Sequence, residues 1–436
     1  MKKFSPLYRG LEFSGTEEIK DAQEKLFSDH LRCLVSNSPY YRRTLSGIDI
    51  DNTGLDHLYE LPFTEKAHFE KCCDDFLAVP FSKIVDIVFS SGTTGAPTRI
   101  MYTENDLKRL AYNEEISLAG CGISAEDIAL LTCTLDRCFI AGLAYFLGTR
   151  NLGAAAVRNG LNSVASHLET MLRVNPTVIV GVPSFLLKLG QYLVSKGIEP
   201  RGIGVSKLIC IGEPIRDKDM SLLKMGAHLE DIWGAKVFST YASSETITSF
   251  CECEMQAGGH LHPDLAVVEI VDDMGKVLPC GKTGEVVVTP LSIEGMPLLR
   301  FKTGDVSFLI DEPCSCGRFS PRLGPIIGRK KQMIKYRGTT LYPQAIYSVL
   351  AEIPGISEYY ITLSSDYDLS DQIRICVSVG NSACSAESIA TELQARLRVC
   401  PEVVIASEEQ VRAQVYSGNS RKLVRLIDRR EKNGEL

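Results

Sequence analysis

Short apolar runs alternate with longer amphipathic segments over the first half of this 436-residue chain. Three of these runs, residues 129–133, 177–182 and 207–212, have the length of buried strands, and helix-like stretches separate them. Thr103 with Asp106 approximates a capping box and predicts the start of another helix. Strands that alternate with helices pair in parallel, because each helix carries the chain back across a face of the sheet. The sequence therefore predicts an α/β fold with helix-covered, mostly parallel sheets.

The pattern changes twice further along the chain. Beyond Val268, short strands predicted at residues 268–271, 285–289 and 306–310 alternate with turns, which indicates a β-rich subdomain. Roughly the last hundred residues mix strands with helices at Pro343–Glu352 and Ala386–Leu397, a pattern typical of a small α+β domain. Because a chain of this length exceeds a single ordinary core, we predict a large domain over residues 1–328 and a small domain over residues 329–436.

The composition excludes several classes of protein. Hydrophobic residues make up 44% and charged residues 23%, as in globular proteins, and the net charge of −7 argues against nucleic-acid binding, which depends on clustered Lys and Arg. The longest apolar segment, residues 139–148, is too short to span a bilayer, and no signal peptide is evident. The fifteen cysteines show no small-domain spacing, which favours a reducing compartment. We expect a cytoplasmic protein that binds neither nucleic acid nor membrane.

A loop rich in glycine and hydroxyl groups directly follows the apolar run Ile84–Phe89. Glycine lets the backbone approach a ligand closely, and hydroxyl and backbone N–H groups donate hydrogen bonds to phosphate oxygens. The loop is not a Walker motif, because no Lys-Ser or Lys-Thr pair follows its last glycine. It is either a flexible surface turn or a polyphosphate-binding loop. In the second case its ligand-binding residues are Ser90, Ser91, Gly92, Thr93, Thr94 and Gly95.

Six segments of the chain resemble, in order, the signatures of the acyl-adenylate-forming (ANL) superfamily, and in particular of its phenylacetate-CoA ligases. They are residues 90–99, IGEPI at 211–215, YASSE at 241–245, FKTGD at 301–305, GRKKQMIKYRG at 328–338 and SRKLVRLIDRR at 420–430. The resemblance implies an ATP-dependent aryl-acid:CoA ligase that forms acyl-AMP and pyrophosphate, then acyl-CoA and AMP. Its substrates would be a small aryl carboxylic acid, ATP and coenzyme A, with Mg²⁺ as a cofactor.

Activation of a carboxylate by ATP brings two anions together, so the site must supply positive charge where they react. The resemblance implies that Lys422 is the catalytic lysine, although the residues alone also fit a solvated basic tail. It implies that Glu245 binds Mg²⁺, since a hard cation prefers a carboxylate. It also implies that Asp305 accepts hydrogen bonds from both ribose hydroxyls. An exposed acid and a β-turn aspartate are the respective alternatives.

Other nucleotide contacts follow from the same resemblance. Tyr241 would lie beside the adenine or the acyl group, and Arg329 would meet the ribose or the phosphates at the domain junction. Ala242 and Ser244 stand where the family has glycine and threonine, and they keep a small side chain and a hydroxyl there. Backbone atoms of a short segment would line the adenine. The remaining candidates for ATP or AMP binding are Gly212, Glu213, Pro214 and Ser243.

The acyl group has a candidate pocket in a segment similar to the family's aromatic-acid region. Its residues are Phe139, Ile140, Ala141 and Gly142, followed by Leu143. No cation is evident in that segment, which favours an apolar aryl acid over an amino acid, whose ammonium would need a partner. The alternative is that these side chains fill the core beneath a helix.

The second half-reaction needs a different geometry, because pyrophosphate has left and a thiol must reach the acyl carbon. Enzymes of this type rotate the small domain about a hinge, which falls at Lys331 in this sequence. A hinge needs only a residue that absorbs a large change in φ and ψ. The rotation would withdraw Lys422 and bring residues 335–338 toward the thiol of coenzyme A.

Two clusters of thiols and imidazoles offer a structural zinc site. A C-x₆-H pattern and a later C-x-C-G turn resemble those of a subset of phenylacetate-CoA ligases, and chance proximity in the sequence is the alternative. Cys251 and His262 are possible substitutes within the first cluster. The predicted ligands are Cys253, His260, Cys314 and Cys316.

Two other functions fit the same residues. An adenylating enzyme could use a carrier protein or a deazaflavin as acceptor in place of coenzyme A. A non-catalytic relative would bind a nucleotide without turnover, and Ala96, Ala242 and Arg421 differ from the family in that direction. We favour catalysis, because the acids, the arginine and the lysine of the site are retained. A homodimer is expected as the common default.

Overall fold

The computed structural model describes residues 8–90, 98–336, 339–365, 371–380, 384–416 and 423–430. The chain divides into two compact units, Met1–Ile326 and Ile327–Leu436. Some predicted site residues lie outside the described residues, and their roles stay predictions. These are the loop residues Ser91, Gly92, Thr93, Thr94 and Gly95 and the candidate catalytic residue Lys422.

Helices dominate the first half of the larger unit and recur in the smaller one. Within the described residues, those of the larger unit are α1 (Thr16–Asn37), α2 (Pro39–Thr44), α3 (Lys66–Cys72), α4 (Glu104–Gly120), α5 (Ala141–Leu152), α6 (Val164–Val174), α7 (Pro183–Ser195) and α8 (Lys224–Trp233). Those of the smaller unit are α9 (Pro343–Glu352), α10 (Ala386–Leu397) and α11 (Glu408–Val415). No described helix combines the length and the apolar character needed to cross a bilayer.

Strands occur in both units, and the two longest described strands belong to the smaller one. The larger unit contains β1 (Ile84–Phe89), β2 (Arg99–Thr103), β3 (Ile128–Leu131), β4 (Ala155–Arg158), β5 (Val178–Gly181), β6 (Lys207–Ile211), β7 (Lys236–Ser243), β8 (Thr248–Cys251), β9 (Gly259–His260), β10 (Ala266–Val271), β11 (Gly284–Pro290), β12 (Phe301–Ser307), β13 (Leu309–Ile310) and β14 (Arg322–Leu323). The smaller unit contains β15 (Gly328–Arg329), β16 (Ile334–Tyr336), β17 (Thr339–Leu341), β18 (Ile356–Ser365), β19 (Asp371–Val379), β20 (Glu402–Ala406) and β21 (Leu426–Asp428).

The central sheet of the larger unit has the strand order β4–β3–β5–β6–β7–β8. Its first five strands are parallel, because α5 to α8 carry the chain back between them, and β8 is antiparallel to β7. All four residues of β5 are buried, as expected for a strand covered on both faces. The carboxyl ends of parallel strands meet at one edge of a sheet, where α/β proteins bind ligands. The predicted α/β class is confirmed.

Helix α4 begins at a reciprocal cap that also fixes a distant turn. The Thr103 hydroxyl accepts a hydrogen bond from the backbone N–H of Asp106 at 3.1 Å, and the Asp106 carboxylate accepts one from the N–H of Thr103 at 2.8 Å. This carboxylate also accepts hydrogen bonds from the N–H groups of Glu294 and Gly295. One buried acid therefore ties the start of α4 to the chain that precedes β12.

The β-rich part of the larger unit contains the antiparallel neighbours β10, β11 and β12. The prediction of one strand over residues 306–310 is wrong, because the chain changes partners within it. Strand β12 pairs with β11, whereas β13 pairs with β14. The break falls at Phe308, whose carbonyl accepts a hydrogen bond from the N–H of Gly324 at 2.9 Å.

The smaller unit is an α+β structure around one sheet of strand order β20–β19–β18–β21. Strands β18 and β19 are antiparallel, and β20 and β21 pair in parallel with them from the two sides. Ile361, Ile375 and Leu393 lie in the core between the sheet and the helices. The observed limits of α9 and α10 are those predicted from the sequence.

Candidate functional site

Strands β6 and β7 end side by side at the carboxyl edge of the central sheet, where Ile211 pairs with Thr240. Gly212 follows β6 at that edge with φ of 75°, a conformation that favours glycine. The Glu213 carboxylate accepts hydrogen bonds from the N–H and the hydroxyl of Ser184, at 2.9 and 2.8 Å, and so stabilises the start of α7. Its side chain has a structural partner, which leaves the predicted contact with adenine to the backbone of residues 212–214.

Two of the predicted nucleotide-binding residues are in direct contact. The Tyr241 hydroxyl donates a hydrogen bond to Oδ2 of Asp305 at 2.9 Å. Burial, and then the charge of Asp305, raise the pKa of Tyr241 well above its ordinary value, so the hydroxyl keeps its proton and remains a donor. The contact joins a residue of the central sheet to a residue of the antiparallel sheet.

A bulge in β12 directs Asp305 toward Tyr241. Strand β11 pairs with β12 at Glu285 and at Val287, whose partners are Val306 and Lys302. The single residue Val286 therefore lies opposite the three residues 303–305. The Thr303 hydroxyl donates to the Val286 carbonyl at 2.9 Å, and Gly304 has φ of 75°. Bulges of this kind re-aim a side chain and recur beside active sites. Asp305 therefore lies on a strand rather than in a simple β-turn.

The predicted magnesium ligand Glu245 is held by two neighbours. The Ser243 hydroxyl donates to its Oε2 at 2.9 Å, and the Lys66 ammonium lies 3.6 Å from its Oε1. The Tyr102 hydroxyl donates to the Ser244 carbonyl at 2.8 Å and so fixes the adjacent backbone. These contacts engage both carboxylate oxygens, but each oxygen keeps a further lone pair, so Glu245 could still bind a Mg²⁺ ion.

Two residues behind Glu245 were missed by the sequence analysis. Lys66 lies two positions after LPFT at residues 61–64, which resembles an N-terminal segment of phenylacetate-CoA ligases, and that proximity is the available signal. Arg109 is fully buried and donates to the carbonyls of Ile247, Leu265 and Leu291. Burial lowers the pKa of Arg109 to about 10, so it stays charged at neutral pH. Its contact holds Ile247 at φ of 49°, a left-handed conformation that is unusual for a β-branched residue.

The described ends of the glycine-rich loop lie beside the segment that precedes the acyl candidates. Ser90 closes the base of the loop, since its N–H donates to the Thr98 carbonyl at 2.9 Å. The preceding residue, Phe89, donates to the carbonyl of Cys138 at 2.8 Å. The hydroxyls of Ser90 and Thr98 are buried and have no partner among the described residues. Ser90 is thus placed next to the start of the acyl segment.

The acyl candidates precede and open α5, whose start packs tightly on Thr134, shortly after the end of β3. The N–H of Gly142 donates to the Thr134 carbonyl at 3.1 Å, and a Cβ at Gly142 would lie only 2.1 Å from that oxygen. Ile140 is buried in the same core as Tyr102, and Ala141 packs on the core of the central sheet. Phe139 is half-buried. Ile140 and Ala141 therefore pack in cores, as the alternative expects, and contact with substrate stays a prediction for all four.

The four predicted zinc ligands are brought together in the larger unit. The candidate ligand atoms of Cys253, His260, Cys314 and Cys316 all lie within 4.8 Å of one another. The two substitutes have other partners, because Cys251 contacts Cys121 at 3.4 Å and His262 contacts Ser117 at 3.2 Å. None of the fifteen cysteines forms a disulfide.

The surroundings of the cluster suit a cation. Burial, together with Arg318 and Arg322, lowers the pKa of His260 to about 3, so its imidazole is neutral and can act as a ligand. Its Nδ1 is buried and lacks a hydrogen-bond partner among the described residues. Burial opposes ionisation of Cys316, but hydrogen bonds from Arg318 outweigh it and lower the pKa of that thiol. A tetrahedral site for a thiophilic ion fits these donors.

The N-terminal segment packs against the loop that carries two of these cysteines. The N–H of Phe319 donates to the Glu12 carbonyl at 2.7 Å, and the Arg318 guanidinium lies 4.7 Å from the centre of the Phe13 ring. The Arg318 side chain is also 3.7 Å from the Glu12 carboxylate. The cysteine loop is thereby linked to the beginning of the chain.

Two candidate residues lie at the start of the smaller unit. Arg329 ends β15, and Lys331 lies in a short 3₁₀ turn, Lys330–Gln332. The Arg430 guanidinium donates to the carbonyls of Lys331 and Met333, at 3.2 and 2.6 Å. This arginine thus ties the candidate hinge to the C-terminal strand of the same unit. The roles of Arg329 and Lys331 stay predictions.

Comparisons with known proteins cover both units. The AMP-binding enzyme family matches residues 34–292, and the AMP-binding enzyme C-terminal domain matches residues 338–430. Phenylacetate-coenzyme A ligase of Thermus thermophilus is 32% identical over 358 residues, which are 80% of this chain and 79% of the relative. The enzyme of that name from Aromatoleum evansii is 26% identical over 450 residues, 97% of each chain.

The fold also has counterparts among solved structures. A crystal structure of 2-hydroxyisobutyryl-CoA ligase in the postadenylation state, in complex with R3-HIB-AMP, matches with a TM-score of 0.84 and 21% identity. The match covers 98% of this chain and 94% of that chain. At that identity the likeness speaks for the fold alone.

Proposed function

The chain belongs to the AMP-binding enzyme family and is an AMP-forming acid–CoA ligase related to phenylacetate-coenzyme A ligases, and we propose that its acid is a small aryl carboxylic acid such as phenylacetate. The observation that carries this proposal is the convergence at one sheet edge. There Tyr241 holds Asp305, and Lys66 and Ser243 hold Glu245. The relatives named as phenylacetate-coenzyme A ligases support an aryl acid.

Each of these residues has a separate role in adenylation. The Asp305 carboxylate accepts hydrogen bonds from the two ribose hydroxyls, while the Tyr241 hydroxyl fixes the orientation of that carboxylate. Glu245 would hold Mg²⁺, which neutralises charge on the phosphates when bound. Lys422 supplies the positive charge at the oxygen shared by the acid and the α-phosphate. The glycine-rich loop that begins at Ser90 binds the phosphates.

Formation of the thioester uses the smaller domain in a second position. Movement about Lys331 removes Lys422 once its charge is no longer needed, because pyrophosphate has left. Residues 335–338 then line the path of the thiol to the acyl carbon. The two half-reactions thereby use the same acyl-AMP site with different residues beside it.

We propose that the cluster of Cys253, His260, Cys314 and Cys316 binds a structural zinc ion. The cluster joins the chain segment that precedes β10 to the segment that follows β12, so loss of the metal should lower stability more than it lowers the rate of the reaction. Metal analysis of the purified protein should find about one zinc per chain. Cys314→Ser should lose the metal and lower the melting temperature, whereas Cys280→Ser, at an exposed cysteine outside the cluster, should do neither. Absence of zinc together with an unchanged melting temperature of Cys314→Ser would contradict the site.

The function is tested by AMP release over a panel of acids in the presence of ATP, Mg²⁺ and coenzyme A. Phenylacetate, hydroxyphenylacetate, indoleacetate and benzoate represent aryl acids, and 2-hydroxyisobutyrate represents small alkyl acids. We expect CoA-dependent AMP release with at least one aryl acid. Glu245→Gln should lower this rate about a hundredfold, while Glu169→Gln, at an exposed position of α6, should leave it unchanged.

Three outcomes would distinguish the proposed function from the alternative functions. Turnover of alkyl acids alone would exclude the aryl substrate. Acid-dependent exchange between ATP and pyrophosphate without consumption of coenzyme A would instead indicate another acceptor. ATP binding without turnover of any acid would indicate a non-catalytic relative. The expected homodimer stays a separate prediction, which sedimentation of the purified protein tests.

A further inference from the structure

A cavity of about 490 Å³ opens between the carboxyl ends of β3 and β4. One wall contains Thr134, Asp136 and Arg137, and the other contains Arg158 and Asn159. The first wall runs directly into the acyl candidates, because Phe139 follows Arg137 by two positions. The cavity is therefore continuous along the chain with the segment proposed to bind the acid.

The cavity carries an excess of positive charge. Arg137 and Arg158 are both exposed, and neither forms an ion pair with a described carboxylate. The Arg158 guanidinium lies 4.8 Å from the centre of the Phe146 ring, which fixes its direction. Asp136 is the acid of the lining, and its carboxylate accepts a hydrogen bond from the Thr134 hydroxyl. The lining thus contains two guanidinium groups and one carboxylate, which already has a hydrogen-bond partner.

The wall that presents Arg137 is held in a strained conformation. Arg137 and Cys138 are consecutive residues with φ of 59° and 52°, in the left-handed region that residues other than glycine rarely adopt. The hydrogen bond from Phe89 N–H to the Cys138 carbonyl, at 2.8 Å, holds this conformation against the strain. Strain that is maintained by neighbouring structure is concentrated at ligand-binding sites.

We propose that Arg137 and Arg158 bind a second carboxylate on the acid substrate, at the end remote from the carboxylate that is activated. This inference rests on the proposed aryl-acid ligase function and narrows its substrate to an aryl dicarboxylic acid. Guanidinium groups pair with carboxylates through two parallel hydrogen bonds. Strand β4 is three neighbours from β6, about 14 Å at the usual spacing of strands, which an aryl ring and an arginine side chain bridge together.

This assignment adds charge to a pocket that the sequence predicts to be apolar. The cations were missed because neither belongs to the acyl segment itself. Arg137 precedes that segment, and Arg158 comes from the next strand of the sheet. Parallel pairing of β3 with β4 places Leu131 opposite Arg158 and so brings the two arginine-bearing ends together.

The test compares 4-carboxyphenylacetate with phenylacetate as substrates of the full-length enzyme. Wild-type enzyme should show kcat/KM about tenfold higher for the dianionic acid, which corresponds to one favourable ion pair. Arg158→Gln and Arg137→Gln should each raise KM for 4-carboxyphenylacetate about tenfold relative to any change in KM for phenylacetate. Arg158→Lys keeps the charge without the paired donors and should recover part of the loss. Arg150→Gln removes an exposed arginine at the far end of α5 and should change neither KM.

Three results would overturn the inference. Equal kcat/KM for the two acids would contradict the binding of a second carboxylate, but it would leave the proposed aryl-acid ligase function unaffected. A rise in KM for coenzyme A or ATP alone in the Arg137→Gln, Arg158→Gln double variant would show that the two arginines bind an anionic group of that substrate and not a carboxylate of the acid. An equal rise in KM for 4-carboxyphenylacetate in Arg150→Gln would show that the effect arises from the general surface charge. By contrast, an enzyme that turns over no aryl acid would refute the proposed function itself.

Discussion

Arg109 stabilises the site from behind through hydrogen bonds to loop carbonyls. It donates to the Leu291 carbonyl at 2.7 Å and also to the carbonyls of Ile247 and Leu265. Arg109→Met keeps the bulk of the side chain but leaves the buried carbonyls of Ile247 and Leu291 without this donor, so it should lower the free energy of unfolding by about 3 kcal/mol. Urea unfolding measures this loss. Arg173→Met on the surface of α6 should cost less than about 0.5 kcal/mol, and an equal loss in both variants would contradict the role of Arg109.

Glu114 in α4 makes stability depend on pH. Burial raises the pKa of its carboxyl from 4.5 to about 7, although a hydrogen bond with Ser249 opposes the shift. Between about pH 4.5 and 7 the folded chain keeps a proton that the unfolded chain releases, so this residue's contribution to stability falls as the pH rises through that window. Above pH 7 the loss is complete.

Glu114→Gln cannot ionise and therefore isolates this effect. The stability of the variant minus that of the wild type should increase between pH 5 and pH 8, because only the wild type must ionise a buried group. Urea unfolding at the two pH values measures the difference, in which all other titrating groups cancel. A difference that does not change with pH would show that Glu114 does not titrate as described.

At the residue scale, the sequence offered candidates that lie within contiguous motifs. Tyr241, Asp305 and Glu245 were proposed in this way, and the structure brings Tyr241 and Asp305 into contact. Lys66 and Arg109 were missed, because their roles arise from contacts with residues far away in the chain. A lysine or an arginine alone is compatible with a solvated surface, and only the packing shows that the Arg109 side chain is fully buried.

The bulge in β12 is the element that sets the direction of Asp305. Gly304 has φ of 75°, so Gly304→Ala should cost about 1 kcal/mol of stability and shift the Asp305 carboxylate. KM for ATP should rise about fivefold or more. Gly281→Ala is a matched control, because Gly281 has φ of 78° and, like Gly304, has open space where a Cβ would lie. Equal effects of the two variants on KM for ATP would show that the bulge has no specific role in nucleotide binding.

At the element scale, local signals were sufficient where they coincided with tertiary structure. The Thr103 and Asp106 cap predicted the start of α4, and Pro343 and Ser385 precede or open the two helices of the smaller unit at the expected places. The division of residues 306–310 between two strands could not be predicted. It depends on which strands pair with the residues before and after Phe308, and those partners come from distant parts of the chain.

For the whole molecule, the two half-reactions should separate by mutation. Lys422→Ala should lower acyl-AMP formation more than a hundredfold while largely sparing thioester formation from supplied acyl-AMP, because its charge is needed in the first step alone. Lys331→Pro restricts the backbone at the proposed hinge and should have the reverse effect. Rapid-quench assays of each half-reaction provide the measurement. Equal losses in both steps for either variant would contradict the division of labour.

At this scale, the sequence predicted the α/β class and the family, because both depend on patterns that extend along most of the chain. The arginine-lined cavity was beyond prediction. It is created by the pairing of two strand ends, and no local pattern indicates which side chains such an edge collects.

The contact between Glu12 and Phe319 also constrains how the protein is made. The ribosome must synthesise roughly three hundred residues after Glu12 before its partner exists, which takes about 15 to 60 seconds at ordinary rates of translation. Throughout that interval Glu12 has emerged without this part of the surface that it contacts. The contact therefore forms among the last in the larger unit, after all strands of the parallel sheet have been synthesised.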